Sequence, residues 1–324
     1  MITIIIFLLY FKYYVAFDFN FDKIDFNNYE NTITIYYEQG TSGKKDQYLY
    51  DTKKKIVQNC NNITKIKTNN GTINYEKNDS YMIDYATSSI TNTKAQCIRH
   101  IDLADNTNEI ILTTDEIKTQ YNEEYFGIDQ LNYDAKNNKL LFRINQNRNS
   151  IIVSYDLKSK TMSEIVKYKS ISHQYFSSLD YIINNNKIYI INLDYQLCIY
   201  DILTNKLYKT NCYTYNYTVS SDGNEVYYVD LENNLCKYRV DSDEAVLIVK
   251  NNYKIERMDI DKTKNLLLFV KTLDKKTWTG IDIYNVFKQN ELVIYEISTG
   301  KSQIIVRPSL SKVIFDSYFI NEEK

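Results

Sequence analysis

The stretch TVSSDGNEVYYVDLENNLCKYRV, residues 218–240, decides the fold. Thr218 and Val219 end one apolar strand, and Ser-Asp-Gly-Asn makes a turn. Tyr and Val then alternate to Val229, an Asn-Asn turn follows, and a third strand runs from Leu235. Three β-forming runs joined by two tight turns read as an antiparallel meander. Asp222-Gly223 is the chemistry a hairpin turn requires, so it is read as a corner of the structure and not as a ligand loop.

The same unit recurs along the chain. An apolar–Asp/Asn–apolar step, a polar turn and a strong β-former occur in KIDFNNYENTITIYY from Lys23, TINYEKNDSYMIDY from Thr72 and QLNYDAKNNKLLFRI from Gln130. They return in SLDYIINNNKIYII from Ser178, NYTVSSDGNEVYYV from Asn216 and RMDIDKTKNLLLFV from Arg257. The central residues Asp25, Asn74, Asn132, Asp180, Thr218 and Asp259 are spaced by 49, 58, 48, 38 and 41 residues. A third strand ending in an acidic turn follows each time, as in SYDLKSK at Ser154, IYDILTNK at Ile199 and IYEISTGK at Ile294. A fourth short strand, such as SEIVKY or SQIIVR, closes most units. Four short strands per repeat, repeated six times, predict an all-β chain folded as one β-propeller of six four-stranded blades. Each blade alone would leave two half-apolar faces in water, and stacking against its neighbours covers both.

The run SSDGNEVYYVDLENNLCKYRVDSDEAVLIV resembles the repeats of WD40-like and TolB-type propellers, and IYDILTNKLYKT and IYEISTGKSQIIV resemble their second halves. The resemblance spans most of residues 21–307 and concerns the fold. The Trp-Asp dipeptide of true WD40 blades is absent, so it implies no functional family. The C-terminal SKVIFDSYFINEEK begins like a further inner strand, with Asp316 continuing the register. It either closes the ring on the N-terminal blade or starts a seventh blade, the alternative to six.

Composition narrows the function. Net charge is −2 and no basic run occurs, so the electrostatic footprint of nucleic-acid binding is missing. One Pro and 7 Gly are few for a β-rich chain, so its turns must lean on Asn, Asp and Lys. The 32 Tyr are partly compositional drift, yet they favour strands. Ile2–Phe11 is an apolar run too short to span a bilayer and suited to a secretory leader cut after Ala16. Residues 1–16 are therefore a signal peptide and 17–324 a secreted or lumenal propeller domain with no membrane span. Secretion permits disulfides among the 5 Cys, with Cys60–Cys97 and Cys198–Cys212 the first pairings to test. The alternative is that these cysteines are small buried hydrophobes. Sequons at Asn62, Asn70, Asn78 and Asn216 permit glycosylation, though an Asn-rich chain produces them by chance.

Two places could carry chemistry. Asp25, Asn132, Asp180 and Asp259, with Asn74 and Thr218, form an inner-strand column whose oxygens would suit a hard cation such as calcium. The competing reading is that these short side chains satisfy backbone groups and water. Two insertions also break the repeat. ILTTDEIKTQYNEEYFG carries Thr113 and Glu116 at capping-box spacing, and VKTLDKKTWTGIDIYNVFKQNELVIY carries the single Trp, Trp278. The second reads as a recognition loop over one end of the propeller channel, with packing onto its own blade as the alternative. Serine-hydrolase, zinc-protease and phosphate-loop motifs are absent, and the two His lie in different repeats. The leading expectation is a binding protein without catalysis for a protein or small-molecule partner. The rival is a metal-dependent propeller hydrolase of the lactonase type using the Asp/Asn ring.

Overall fold

The computed structural model describes residues 18–19, 32–39, 45–51, 56–59, 71–74, 79–87, 90–102, 105, 107–121, 127–134, 136–146, 149–169, 181–184, 186–251, 253–261, 263, 265–272, 290–307 and 312–320, with side chains for most of those from Ser80 onward. Nearly all of them lie in strands or the turns between strands. The chain forms two compact units, residues 64–210 and residues 1–63 with 211–324.

In the 1–63 segment lie β1 (Asp18–Phe19), β2 (Thr32–Gln39), β3 (Lys45–Asp51) and β4 (Ile56–Asn59). The 64–210 unit opens with β5 (Gly71–Asn74), β6 (Asp79–Thr87), β7 (Lys94–Asp102) and β8 (Asn108–Thr113), an antiparallel four-stranded sheet in chain order. Helix α1 (Thr114–Tyr121) follows, and then the meander β9 (Gly127–Asp134), β10 (Lys139–Gln146), β11 (Asn149–Asp156) and β12 (Thr161–Lys169). The unit continues with β13 (Tyr181–Asn184), β14 (Lys187–Ile191), β15 (Gln196–Asp201) and the start of β16 (Lys206–Val219).

Strand alternation explains how these sheets bury their faces. On β11, Ile151, Val153 and Tyr155 join Ile98, Leu112 and Ile128 in one core cluster. Ile152 points the other way, into a second cluster with Ile188, Ile190 and Tyr200. A strand read as continuously hydrophobic is thus two half-faces, each packed on a different sheet.

The other unit holds the rest of β16 with β17 (Glu225–Asp230), β18 (Leu235–Arg239) and β19 (Glu244–Val249). It also holds β20 (Lys254–Ile260), β21 (Leu266–Thr272), β22 (Asn290–Glu296) and β23 (Lys301–Arg307), with β1 added outside β23. Its third sheet, β24-β2-β3-β4, takes its first strand from the C-terminus, β24 (Lys312–Ile320). The core here joins Tyr227, Val229 and Leu235 to Met258, Phe269 and Val293.

Two expectations change and one alternative is decided. The strands hydrogen-bond into five sheets and not six separate four-stranded ones: β13 to β19 form one sheet of seven, and β1 makes another a sheet of five. β24 pairs with β2, with Asp316 opposite Tyr36, which is the closure on the N-terminal blade and not the start of a seventh; the segment around Asp25 lies outside the described residues. Cys97, Cys198, Cys212 and Cys236 are all buried thiols with no disulfide among them, so the Cys198–Cys212 pairing is not made. Cys60 lies outside the described residues.

Turns without Gly or Pro rely on left-handed Asn. Asn92, Asn138, Asn186, Asn205 and Asn233 have φ between 53° and 68°, and Asp243 and Lys160 join them at 52° and 56°. Asn and Asp enter this region at lower cost than other L residues because their side chains bond locally. Gly223 and Gly300, at φ 70° and 67°, mark the two described turns where glycine does the same.

Candidate functional site

The pairing register shows which inner-strand residues correspond. Two residues into the second strand of each sheet, Leu141 faces Asn132, Tyr227 faces Thr218 and Leu268 faces Asp259. The same step elsewhere is Tyr81 to Thr72, Tyr189 to Ile182 and Thr34 to Tyr318. Asn74 therefore falls out of step, at the end of β5 opposite Asp79. Asp180 precedes β13 and lies outside the described residues. Ile182 and Tyr318 stand opposite the same step of β14 and β2.

Asp259 and Asn132 bond backbone groups. Asp259 Oδ2 accepts the Phe319 N–H at 2.7 Å, tying β20 to β24. Asn132 Nδ2 donates to Gln130 O at 3.3 Å. Gln130 has φ 56°, and Arg257 on β20 has φ 52°. Both lie at a β-bulge, where the extra residue re-aims the strand, and β16 and β24 carry bulges of their own. Thr218 is buried.

Asp261 is fully buried, a position that in isolation suggests function. Its Oδ1 accepts the N–H groups of Asn265 and Leu266 at 3.0 and 2.8 Å, so it closes the β20–β21 hairpin. Ser220 does the equivalent work in the opening stretch, its Oγ taking the Glu225 N–H at 3.0 Å. Asp222 Oδ1 accepts from Ser220 Oγ at 2.7 Å, and Gly223 N donates to Ser220 O at 2.8 Å. The Asp-Gly turn is a hairpin corner, as read from the sequence.

A polar ladder that sequence reading missed crosses the sheet β9 to β12. Arg143 Nε and Nη2 donate to Asp129 Oδ1 and Oδ2 at 2.7 and 2.6 Å, a bidentate pair with Arg143 only 3% exposed. Asn145 Nδ2 adds a bond to Asp129 at 2.8 Å, and Ser150 Oγ donates to Asn145 Oδ1 at 3.1 Å. Ser150 in turn bonds Tyr168, whose hydroxyl is pushed up to about 12 by burial, with Arg143 partly opposing. The signal lay in FRIN, where Arg143 and Asn145 take alternate positions in an otherwise apolar strand. A fork-to-fork pair of this kind fixes strand position and has no acid or base free of its partner.

The thiols are unreactive by environment. Burial, then the charge of Asp230, pushes Cys236 up to about 11, and burial also raises Cys97 and Cys198. Tyr228 bonds both Cys212 and Cys236, and its hydroxyl is raised by burial first. Asn216 is a half-buried strand residue whose Nδ2 donates to Ile255 O at 3.4 Å, so a glycan there would displace that bond. Asn62, Asn70 and Asn78 lie outside the described residues, as do Trp278 and its insertion. The first insertion forms its predicted helix: Thr113 N donates to Glu116 Oε2 at 2.6 Å, and Glu116 N to Thr113 Oγ1 at 3.3 Å.

No protein-family model and no curated protein matches the chain. Among solved structures, TolB from Acinetobacter baumannii is similar at TM-score 0.60 and 10% identity, over 90% of this chain and 67% of that one. A protein from Lactobacillus plantarum is similar at TM-score 0.51 and 13% identity, over 90% of this chain and 99% of that one. Likeness at such low identity concerns the fold, and with the repeated antiparallel sheets it defines the class: an all-β protein with a β-propeller fold. No family is shown.

Proposed function

We propose that this chain is a secreted β-propeller that binds a protein or small-molecule partner without catalysing a reaction. The observation that carries this reading is the use of Asp259 and Asn132 as backbone partners in their strands. A hard-cation cage needs several oxygens converging at about 2.3–2.6 Å. Here Asp259 Oδ2 takes the Phe319 N–H and Asn132 bonds Gln130 O through its Nδ2, and Ile182 and Tyr318 occupy equivalent register positions. Recognition is assigned to the 273–289 insertion and Trp278, an aromatic anchor on a loop carried by a rigid sheet.

The blade count belongs to the same reading. The seven-stranded sheet is two four-stranded blades sharing β16, whose first residues are exposed like an outer strand and whose last are buried like an inner one. With β1 as an added edge strand, the total is six blades.

Trp278 is the only tryptophan, so its fluorescence reports on the proposed site directly. Partners captured from conditioned medium would be purified and titrated against wild type and Trp278→Ala. Weaker binding by the variant at an unchanged melting temperature supports the reading, and unchanged binding overturns the assignment to Trp278. Stoichiometric calcium in the purified protein together with lactone hydrolysis would transfer the chain to the metal-dependent hydrolases. N-terminal sequencing of the exported protein should begin at Phe17.

A further inference from the structure

Between the β6–β7 hairpin and the first turn of α1 lies a cavity of about 170 Å³. Tyr85, Thr93 and Lys94 wall it from the hairpin, and Thr114, Asp115 and Lys118 from the helix. Asp115 is 6% exposed, so a carboxylate sits nearly buried against this space. Thr91 Oγ1 donates to its Oδ2 at 3.0 Å, and Lys118 Nζ stands 3.6 Å from Oδ1. An acid in a first helical turn suits the helix dipole. The dipole does not by itself explain an opening that Lys94 and Tyr85, 57% exposed, also line.

Size and charge select the occupant. The volume holds about half a dozen waters at roughly 30 Å³ each, below the ~300 Å³ where drug-sized sites begin. A small anion would face the Asp115 carboxylate, and a small cation would face Lys94 and Lys118. A neutral ligand with several hydroxyls avoids both penalties, because each hydroxyl can donate to a carboxylate and accept from an ammonium. Its C–H face would lie on the exposed tyrosine ring, which with Ala95 is the apolar part of the wall. The geometry points to a subsite for a neutral polyhydroxylated ligand of monosaccharide size, with Asp115 as acceptor, Lys94 and Lys118 as donors and Tyr85 as the stacking platform. It is independent of the Trp278 loop.

Saturation-transfer NMR on the full chain with methyl glucoside, methyl galactoside and methyl mannoside tests this, with inorganic phosphate and acetate as controls followed by calorimetry. One glycoside should bind, and Tyr85→Ala should weaken it by about tenfold or more, the loss of one good stacking contact. Tyr85 and Lys94 are both exposed, so Tyr85→Ala and Lys94→Ala keep the melting temperature while Asp115→Asn tests the acceptor. If Asp115→Asn does not fold, the other two variants still decide. No binding of any glycoside overturns the subsite. Binding of phosphate or acetate in its place, or glycoside binding that survives both Tyr85→Ala and Lys94→Ala, does the same.

Discussion

A tyrosine stands five residues before a left-handed turn residue in seven places: Tyr133 and Asn138, Tyr155 and Lys160, Tyr181 and Asn186, Tyr200 and Asn205, Tyr228 and Asn233, Tyr238 and Asp243, Tyr295 and Gly300. In three of them the hydroxyl donates to the turn side chain, at 3.0 Å to Asn138, at 2.7 Å to Asp243, and to Asn205. Tyr215 reaches Asn233 from a neighbouring strand in the same way. Part of the Tyr and Asn excess, which composition alone left to drift, therefore has a structural use: the hydroxyl holds an Asn where other chains place glycine. The Tyr200 hydroxyl also lies 2.9 Å from Ile165 O, so Tyr200→Phe removes a shared donor and should lower stability by about 1–2 kcal/mol. Asn205→Gly should remove the left-handed penalty while losing the same bond, so the two changes should couple by roughly 0.5–1.5 kcal/mol in a urea double-mutant cycle. Simple additivity would show that the pair does not act together. The opening stretch changes at this scale too. Cys236 is the one thiol of that stretch, and pushed up to about 11 it stays protonated at neutral pH. Thiol-specific labelling of Cys97, Cys198, Cys212 and Cys236 should be slow in the native protein and fast after unfolding. Rapid native labelling of any of them would show an opening that the packed sheets do not display.

Strands and turns were legible because their signals are local. Alternation and polar hairpin turns recur along the chain, β3, β7, β11 and β15 each end in Asp, and the Thr113–Glu116 box announced a helix that forms. The closing strand was half legible: Asp316 continued the repeat, but nothing local said that β24 pairs with β2. That pairing joins chain ends far apart in sequence, so only tertiary structure decides it. The register column rests on spacing alone. Sequence spacing cannot count bulges or hairpin offsets, and a slip of one residue sends a side chain to the other face. The Asp129–Arg143 pair was missed because two ordinary polar residues become notable only when pairing brings them opposite. Removing one partner should be costly. Asp129→Ala leaves the guanidinium buried, and such a loss typically costs 3–5 kcal/mol. Asp129→Ala with Arg143→Met should recover most of it, since an apolar pair of similar volume often replaces a buried ion pair without loss. Thermal melts of the single and double variants check this; a double variant as unstable as the single would mean the ladder contributes more than charge compensation.

Over the whole molecule, 39 basic and 41 acidic residues nearly balance, so general charge repulsion is small near neutrality and pH sensitivity should come from particular groups. On the acid side, the N–H of Ser159, then its hydroxyl, lowers Asp156, and the N–H groups of Thr204 and Leu203 lower Asp201. A carboxyl held below its unfolded value of about 3.9 adds stability above that pH and loses it as pH falls through the lower folded value. On the alkaline side, burial pushes Tyr168 and Tyr215 up to about 12, with Asp230 and Glu256 adding to the rise at Tyr215. A tyrosine raised above its unfolded value of about 10 contributes stability that is complete below that pH and lost as pH climbs toward the folded value. Melting temperature against pH should therefore show a plateau with two separable limbs. Asp201→Asn keeps the acceptor oxygen but not the charge and should flatten only the acid limb. Tyr168→Phe should flatten only the limb between about pH 10 and 12, where tyrosinate absorbance and unfolding should rise together. If Tyr168→Phe left the alkaline limb unchanged while tyrosinate formed well below pH 12 in folded wild type, the polar ladder would have to be open to solvent.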